Sequence, residues 1–123
     1  MNVKDFPWPK RVVESGVEDG ITWVTSRAPI DGAVNGYVKI VGPHPWKDVA
    51  ESWDINNTVP FGEITYHEGD WFGFDTLHSG QVWPDSTWKY PDDIQMTPEL
   101  VTEWAKQLAR DAASAARAGH YNI

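Results

Sequence analysis

The stretch Thr97 to Gly119, TPELVTEWAKQLARDAASAARAG, decides the fold class. Thr97 is suited to accept a hydrogen bond from the first turn, Pro98 fits the first helical position, and Glu99 and Glu103 favour the positive end of the helix dipole. Leu100, Trp104 and Leu108 recur at four-residue spacing with Val101, Ala105 and Ala112 beside them, which makes one apolar stripe. The later alanines, Ala112, Ala113, Ala115, Ala116 and Ala118, promote helix but offer little to bury, and Gly119 supplies the stop. A helix with one apolar stripe needs a second layer to cover. The prediction is therefore α+β: an antiparallel sheet of about four or five strands with one C-terminal helix, over 97–118, packed on one face.

The strands lie upstream. Residues 1–9 read as an extended arm, with Pro7 and Pro9 flanking Trp8 and with Phe6 and Trp8 as anchors on the body. Arg11 to Val17 and Gly20 to Arg27 are rich in Val, Ile, Thr and Trp, and the Asp19-Gly20 pair between them is a hairpin signal. Ala28 to Gly36 reads as a loop and Tyr37 to Val41 as a third strand. Between Pro43 and Pro60 the pattern breaks down, with Val49, Ala50 and Trp53 placed for one short helical turn. Gly62 to Glu68 and Trp71 to Asp75 form a second hairpin about Gly69-Asp70. Residues 78–93 read as ordered coil around Trp83, Trp88 and Tyr90. The chain is one domain of 123 residues, with sheet and coil over 10–93.

Composition removes several function classes. There is no cysteine, so disulfides, zinc-thiolate sites, iron–sulfur clusters and thiol nucleophiles are excluded. The net charge is −8 and the ten basic residues are scattered, which argues against direct nucleic-acid binding. No apolar run approaches a membrane span, and the N-terminal residues carry no signal-peptide pattern, which argues against export and membrane insertion. Eight tryptophans, against four Tyr and four Phe, exceed what one small core readily hides. Either some of them line a groove or an interface, or all are core and half-buried surface.

The segment Phe61 to Pro84, FGEITYHEGDWFGFDTLHSGQVWP, holds the densest polar chemistry. If Ile64 and Tyr66 look inward with Phe72 and Phe74, then Glu63, His67 and Asp75 meet on the outer face. Trp71 and Gly73 share that face, and Gly73 leaves a gap where a ligand can approach. His78 lies three residues beyond Asp75. Asp75-x-x-His78 with His44 is one possible metal-ligand set, although the spacing is short and common by chance. A His–Asp pair also suits acid–base chemistry, and Thr76 or Ser79 is a conceivable nucleophile without the usual elbow sequence. Alternatively, Trp46, Trp71, Trp83 and Trp88 stack on a planar ligand without any chemistry.

At Gly36-Tyr37-Val38, Pro43-His44-Pro45-Trp46 and Gly62 to Gly80 the chain resembles a set of small uncharacterised proteins encoded by bacteriophages and prophages, notably of actinobacteria. Their pattern runs Gly-Tyr-Val, Gly-His-Pro-Trp, His-Gly-Gly-Leu-Thr-Tyr and Trp-x-Gly-Phe-Asp-x-x-His-x-Gly-Asp. The resemblance covers roughly residues 22–84 and marks His44, Trp46, Thr65, Tyr66, Asp75 and His78. It departs at Phe61, Glu63 and Gln81, where the pattern has His, Gly and Asp, so two polar groups of any site in relatives are missing here. That shifts the reading from catalysis to binding.

The resemblance implies a phage accessory protein acting in the host cytoplasm, where such proteins often disable a host defence. The leading expectation is a non-enzymatic module that sequesters a small nucleotide-like ligand with His44, Trp46, Glu63, Tyr66, His67, Trp71, Asp75 and His78. No cofactor and no metal is assigned. The alternatives are an inhibitor that presents an acidic surface to a host protein, and a small His/Asp hydrolase. Membrane binding is not expected, and self-association into a homo-oligomer is left open.

Overall fold

The computed structural model describes residues 5–29, 32–48, 64–77, 81–85 and 93–119. Glu63, His78, Ser79, Trp53 and Trp88 lie outside the described residues, as does the helical turn expected near Val49. The described chain forms a five-stranded antiparallel sheet, β1 (Val12–Glu18), β2 (Ile21–Arg27), β3 (Val34–Lys39), β4 (Tyr66–Glu68) and β5 (Trp71–Phe74), in the order β1-β2-β3-β5-β4. The single helix, α1 (Pro98–Ala118), packs on one face, chiefly over β2 and β3. A short parallel pair, β6 (Gln81–Val82) with β7 (Ile94–Gln95), arises within and just after the stretch expected to be coil. No helix among the described residues is long and apolar enough to cross a membrane.

Local chemistry explains the boundaries. Asp19 and Gly20 both take positive φ, 50° and 83°, the backbone that a two-residue hairpin turn between right-twisted strands requires. Thr97 caps α1 by accepting from the Leu100 amide at 3.1 Å. The third strand begins at Val34, three residues earlier than the glycine-rich sequence suggests, because Gly36 lies under an aromatic ring of its neighbour. The late alanines bury more than expected. Ala112, Ala113 and Ala116 are fully enclosed, since a methyl-sized side chain lets the helix sit close to the layer beneath.

Three cross-strand pairs fix the register. Gly16 stands opposite Trp23, Gly36 opposite Phe74 and Gly73 opposite Tyr37. A Cβ built on each glycine would approach its partner's ring to 2.6, 2.4 and 2.3 Å respectively. Each ring therefore lies on the bare backbone of the facing strand, the arrangement by which aromatics shield glycines in sheets. Gly36-Tyr37 against Gly73-Phe74 is a reciprocal case: each dipeptide supplies the glycine for the other's ring, one on each face.

The sheet is covered on both faces. Trp23, Val38, Phe72 and Phe74 join Trp104, Leu108 and the alanines of α1 in the main core. On the second face Phe6, Val24, Tyr37 and Trp71 form a smaller cluster, with Trp8, Val12 and Tyr66 packed around it.

Candidate functional site

The hairpin of β4 and β5 turns through the two residues Gly69 and Asp70, so Glu68 faces Trp71, His67 faces Phe72 and Tyr66 faces Gly73. Directly paired residues share a face. This overturns the facing inferred from alternation along each strand separately. Tyr66 belongs with Trp71, Gly73 and Tyr37, whereas His67 stacks on Phe72 at 4.0 Å with rings 13° apart. A two-residue turn pairs even positions with odd ones, and alternation alone does not reveal that parity. Gly73 is no gap for a ligand either, because the Tyr37 ring fills the space.

His44 is 1% exposed and both ring nitrogens are engaged. The Trp46 amide donates to Nδ1 at 3.0 Å, so the proton resides on Nε2, which lies 2.8 Å from the Ala112 carbonyl oxygen and donates to it. The imidazole thus ties the short 3-10 turn at Pro45–Asp48 to the middle of α1. Coordinating a metal or moving a proton would break one of these bonds. Trp46 packs edge-on against His44 and Phe72 inside the main core.

Thr76 is likewise committed. It is fully buried, and its hydroxyl donates to the Val34 carbonyl at 2.7 Å. Its amide donates to Asn35 Oδ1 at 3.0 Å, and its carbonyl accepts from Trp83 Nε1 at 3.0 Å. A hydroxyl whose proton is held by a main-chain oxygen deep in the core is a structural peg, not an accessible nucleophile. Trp83, 1% exposed, is anchored by the same node.

Asp75 holds a different position from His44. Its amide donates to Thr65 Oγ1 at 3.2 Å, and its charge acts on Tyr37 of the second face. His44 belongs to the helix side. Burial pushes the Tyr37 phenol above its ordinary value, an Asn35 hydrogen bond opposes that, and the Asp75 carboxylate adds to it. Among the described residues no three His, Asp or Glu side chains gather in a metal-binding group.

What the fold does assemble is aromatic. Phe6, 2% exposed, sits edge-on to Trp71 at 5.0 Å and to Tyr37 at 5.1 Å. Trp8 and Tyr66, both half-buried, stand at the rim with ring centroids 5.4 Å apart and planes 57° apart. The Tyr66 hydroxyl donates to Glu68 at 3.1 Å; burial, that bond and the Glu68 charge raise the phenol's pKa. Asp5 pairs with Lys39 at 2.7 Å and fastens the arm beside Phe6. Of the expected binding residues, Tyr66 and Trp71 come together here, His44 and Trp46 lie in the main core, and His67 sits exposed on Phe72. Tyr37 and Asn35, which organise this face, are not among the residues the sequence marks for binding. The signal for Tyr37 was the pair of Gly-aromatic dipeptides in neighbouring strands. No protein-family model, curated protein or solved structure matches the chain.

Proposed function

We propose that this chain is a non-catalytic binding module that engages a basic protein surface through the Trp8–Tyr66 rim of its second sheet face. The observation that carries this reading is a contrast in exposure. His44, Trp46, Trp71 and Trp83 are sealed in the two cores, whereas Trp8 and Tyr66 remain half-open beside the exposed carboxylate of Glu68. Half-buried Trp and Tyr packed on an aromatic layer beneath are the side chains that dominate protein contacts. Two rings inclined at 57° leave no parallel slot for a planar base, which favours a protein partner over a nucleotide. A net charge of −8 favours approach to a cationic partner, and an Arg or Lys can lie over either ring while pairing with Glu68. The accessory role in a bacteriophage host implied by the resemblance suits such a binder, acting in the cytoplasm on a host protein.

The test is affinity capture from an actinobacterial lysate with the wild-type chain and with Tyr66→Ala and Glu68→Lys, each first checked for an intact fold by thermal melting. A protein retained by wild type and lost with both variants, then bound when purified with at least about tenfold weaker affinity to each variant, supports the reading. Equal retention by all three chains refutes it. Calorimetric heat with cyclic or ADP-ribose-type nucleotides, and none with any captured protein, replaces it with the small-ligand reading.

A further inference from the structure

Strand β1 is the outermost strand of the sheet on the side away from β4, and no described residue pairs with its outer side. Of the described large hydrophobic side chains three are exposed, and two of them, Val13 at 42% and Val17 at 53%, belong to this strand. An edge of seven residues without Pro or Lys is a template for another strand, tempered here by the bulge at Val13. The Glu14 amide donates inward to Thr25 Oγ1 at 3.1 Å. By alternation the N–H and C=O groups of Ser15 and Val17 point outward.

We propose that β1 is the seam of a symmetric homodimer in which two copies pair antiparallel about a twofold axis at Ser15, continuing one sheet across both molecules. The occupant is chosen by the sequence of the edge itself, Val12-Val13-Glu14-Ser15-Gly16-Val17-Glu18. Turned on itself about Ser15, it sets Val13 opposite the partner's Val17 and Glu14 opposite the partner's Gly16. Valine meets valine, and no like charges meet. A twofold axis normal to the sheet permits only registers centred on a residue. Centring on Glu14 sets that carboxylate against its own copy, and centring on Gly16 sets Glu14 against the partner's Glu18. Both acids also stay where the fold already holds them, on the helix side, with Thr102 2.9 Å from Glu14 and Arg110 3.3 Å from Glu18. Val17 and Ser15 face the other way. An isologous seam of this kind closes after two copies and removes one exposed edge from each. The proposal is independent of the Trp8–Tyr66 surface, which lies on a face and not at this edge.

Because the chain has no cysteine, the register can be read by single-site crosslinking. Ser15→Cys places two thiols across the axis, with Cα atoms about 5.5 Å apart, within reach of a disulfide. Val17→Cys, at a more exposed site, places its two copies roughly 13 Å apart along the strands and cannot bridge them. Oxidation of the Ser15→Cys chain is expected to give covalent dimer at least tenfold faster than the Val17→Cys chain. In sedimentation the wild type is expected at twice the 13.9 kDa of one chain. Val17→Lys, a change at an exposed position that leaves folding intact, returns it to monomer. A wild-type chain that sediments as a monomer at every concentration up to its solubility overturns the proposal. So does equal crosslinking at the two cysteine positions, or a dimer indifferent to Val17→Lys.

Discussion

The ring of Tyr37 lies on the backbone of Gly73, so closely that a Cβ there would stand 2.3 Å from Cδ1 of the ring. The neighbouring Gly36 lies equally bare under Phe74 on the opposite face. The two contacts lock β3 to β5 at adjacent positions, and both faces depend on them.

Gly73→Ala is accordingly expected to destabilise the fold by about 1–3 kcal/mol, the range for forcing a methyl into a packed site. The Gly36 carbonyl lies 3.0 Å from the same hypothetical Cβ, so the backbone cannot yield freely. Urea unfolding checks this through the midpoint at constant slope. A loss below about half a kcal/mol would show that Tyr37 can move aside.

His44→Leu removes an imidazole that joins two buried main-chain groups, the Trp46 amide and the Ala112 carbonyl. The amide is left without its acceptor, and the substitution is expected to cost about 2–4 kcal/mol. The partner captured through the Trp8–Tyr66 face should bind the folded variant with unchanged affinity. Denaturation and calorimetry measured on the same preparation separate a structural tie from a ligand contact.

These two residues mark how far the sequence is legible. The helix, its cap and the Asp19-Gly20 turn follow from local rules, since their determinants lie within a few residues of one another. The facing of Tyr66 and His67 depends on the parity of a turn, and a one-residue difference exchanges the two faces. His44 suggests chemistry in sequence because nothing nearby announces that its partner is the carbonyl of Ala112, sixty-eight residues away. The late alanines mislead for a related reason: their value is the absence of bulk, visible only against the layer they approach.

The arm's attachment has a pH dependence with a defined sign. The Lys39 hydrogen bond is the main influence holding the Asp5 carboxyl below its ordinary 3.8. A carboxyl with a lowered folded value contributes stability above its unfolded value and loses it as pH falls through the folded value. Docking of the arm should therefore hold above pH 3.8 and weaken below it. Carbon-detected NMR titration of Asp5 gives its midpoint, expected below 3.8 and returning toward it in Lys39→Met. An unshifted midpoint in the wild type would mean that the salt bridge does not persist in solution.

The two tyrosines of the second face move the opposite way. Burial raises both Tyr37 and Tyr66 above 10.0, with the Asp75 charge adding to the first and the Glu68 bond and charge to the second. A raised folded value means stability is fully present below pH 10.0 and is lost as pH rises through it. Alkaline unfolding should begin above pH 10.0 and be delayed in Tyr37→Phe, as followed by circular dichroism. Phenolate absorbance should show the same two groups ionising late.

Phe6 tests whether the second face is a closed layer or a surface lightly covered. Its ring is 2% exposed and contacts Trp71, Tyr37 and Trp8, yet it is carried on the N-terminal arm and not on a strand of the sheet. A Phe→Ala change in a core costs about 3–5 kcal/mol, but if the arm undocks by itself the loss is capped at the free energy of docking it. The consequence should therefore be local. Trp71 Nε1–H is buried with no acceptor among the described residues, so its exchange with solvent reports opening of this face. In Phe6→Ala that exchange is expected to accelerate roughly hundredfold, equivalent to about 3 kcal/mol of lost protection, while amides of β2 and α1 keep their rates. Uniform acceleration throughout the sheet would instead make Phe6 part of the global core, and the arm an integral layer of the fold.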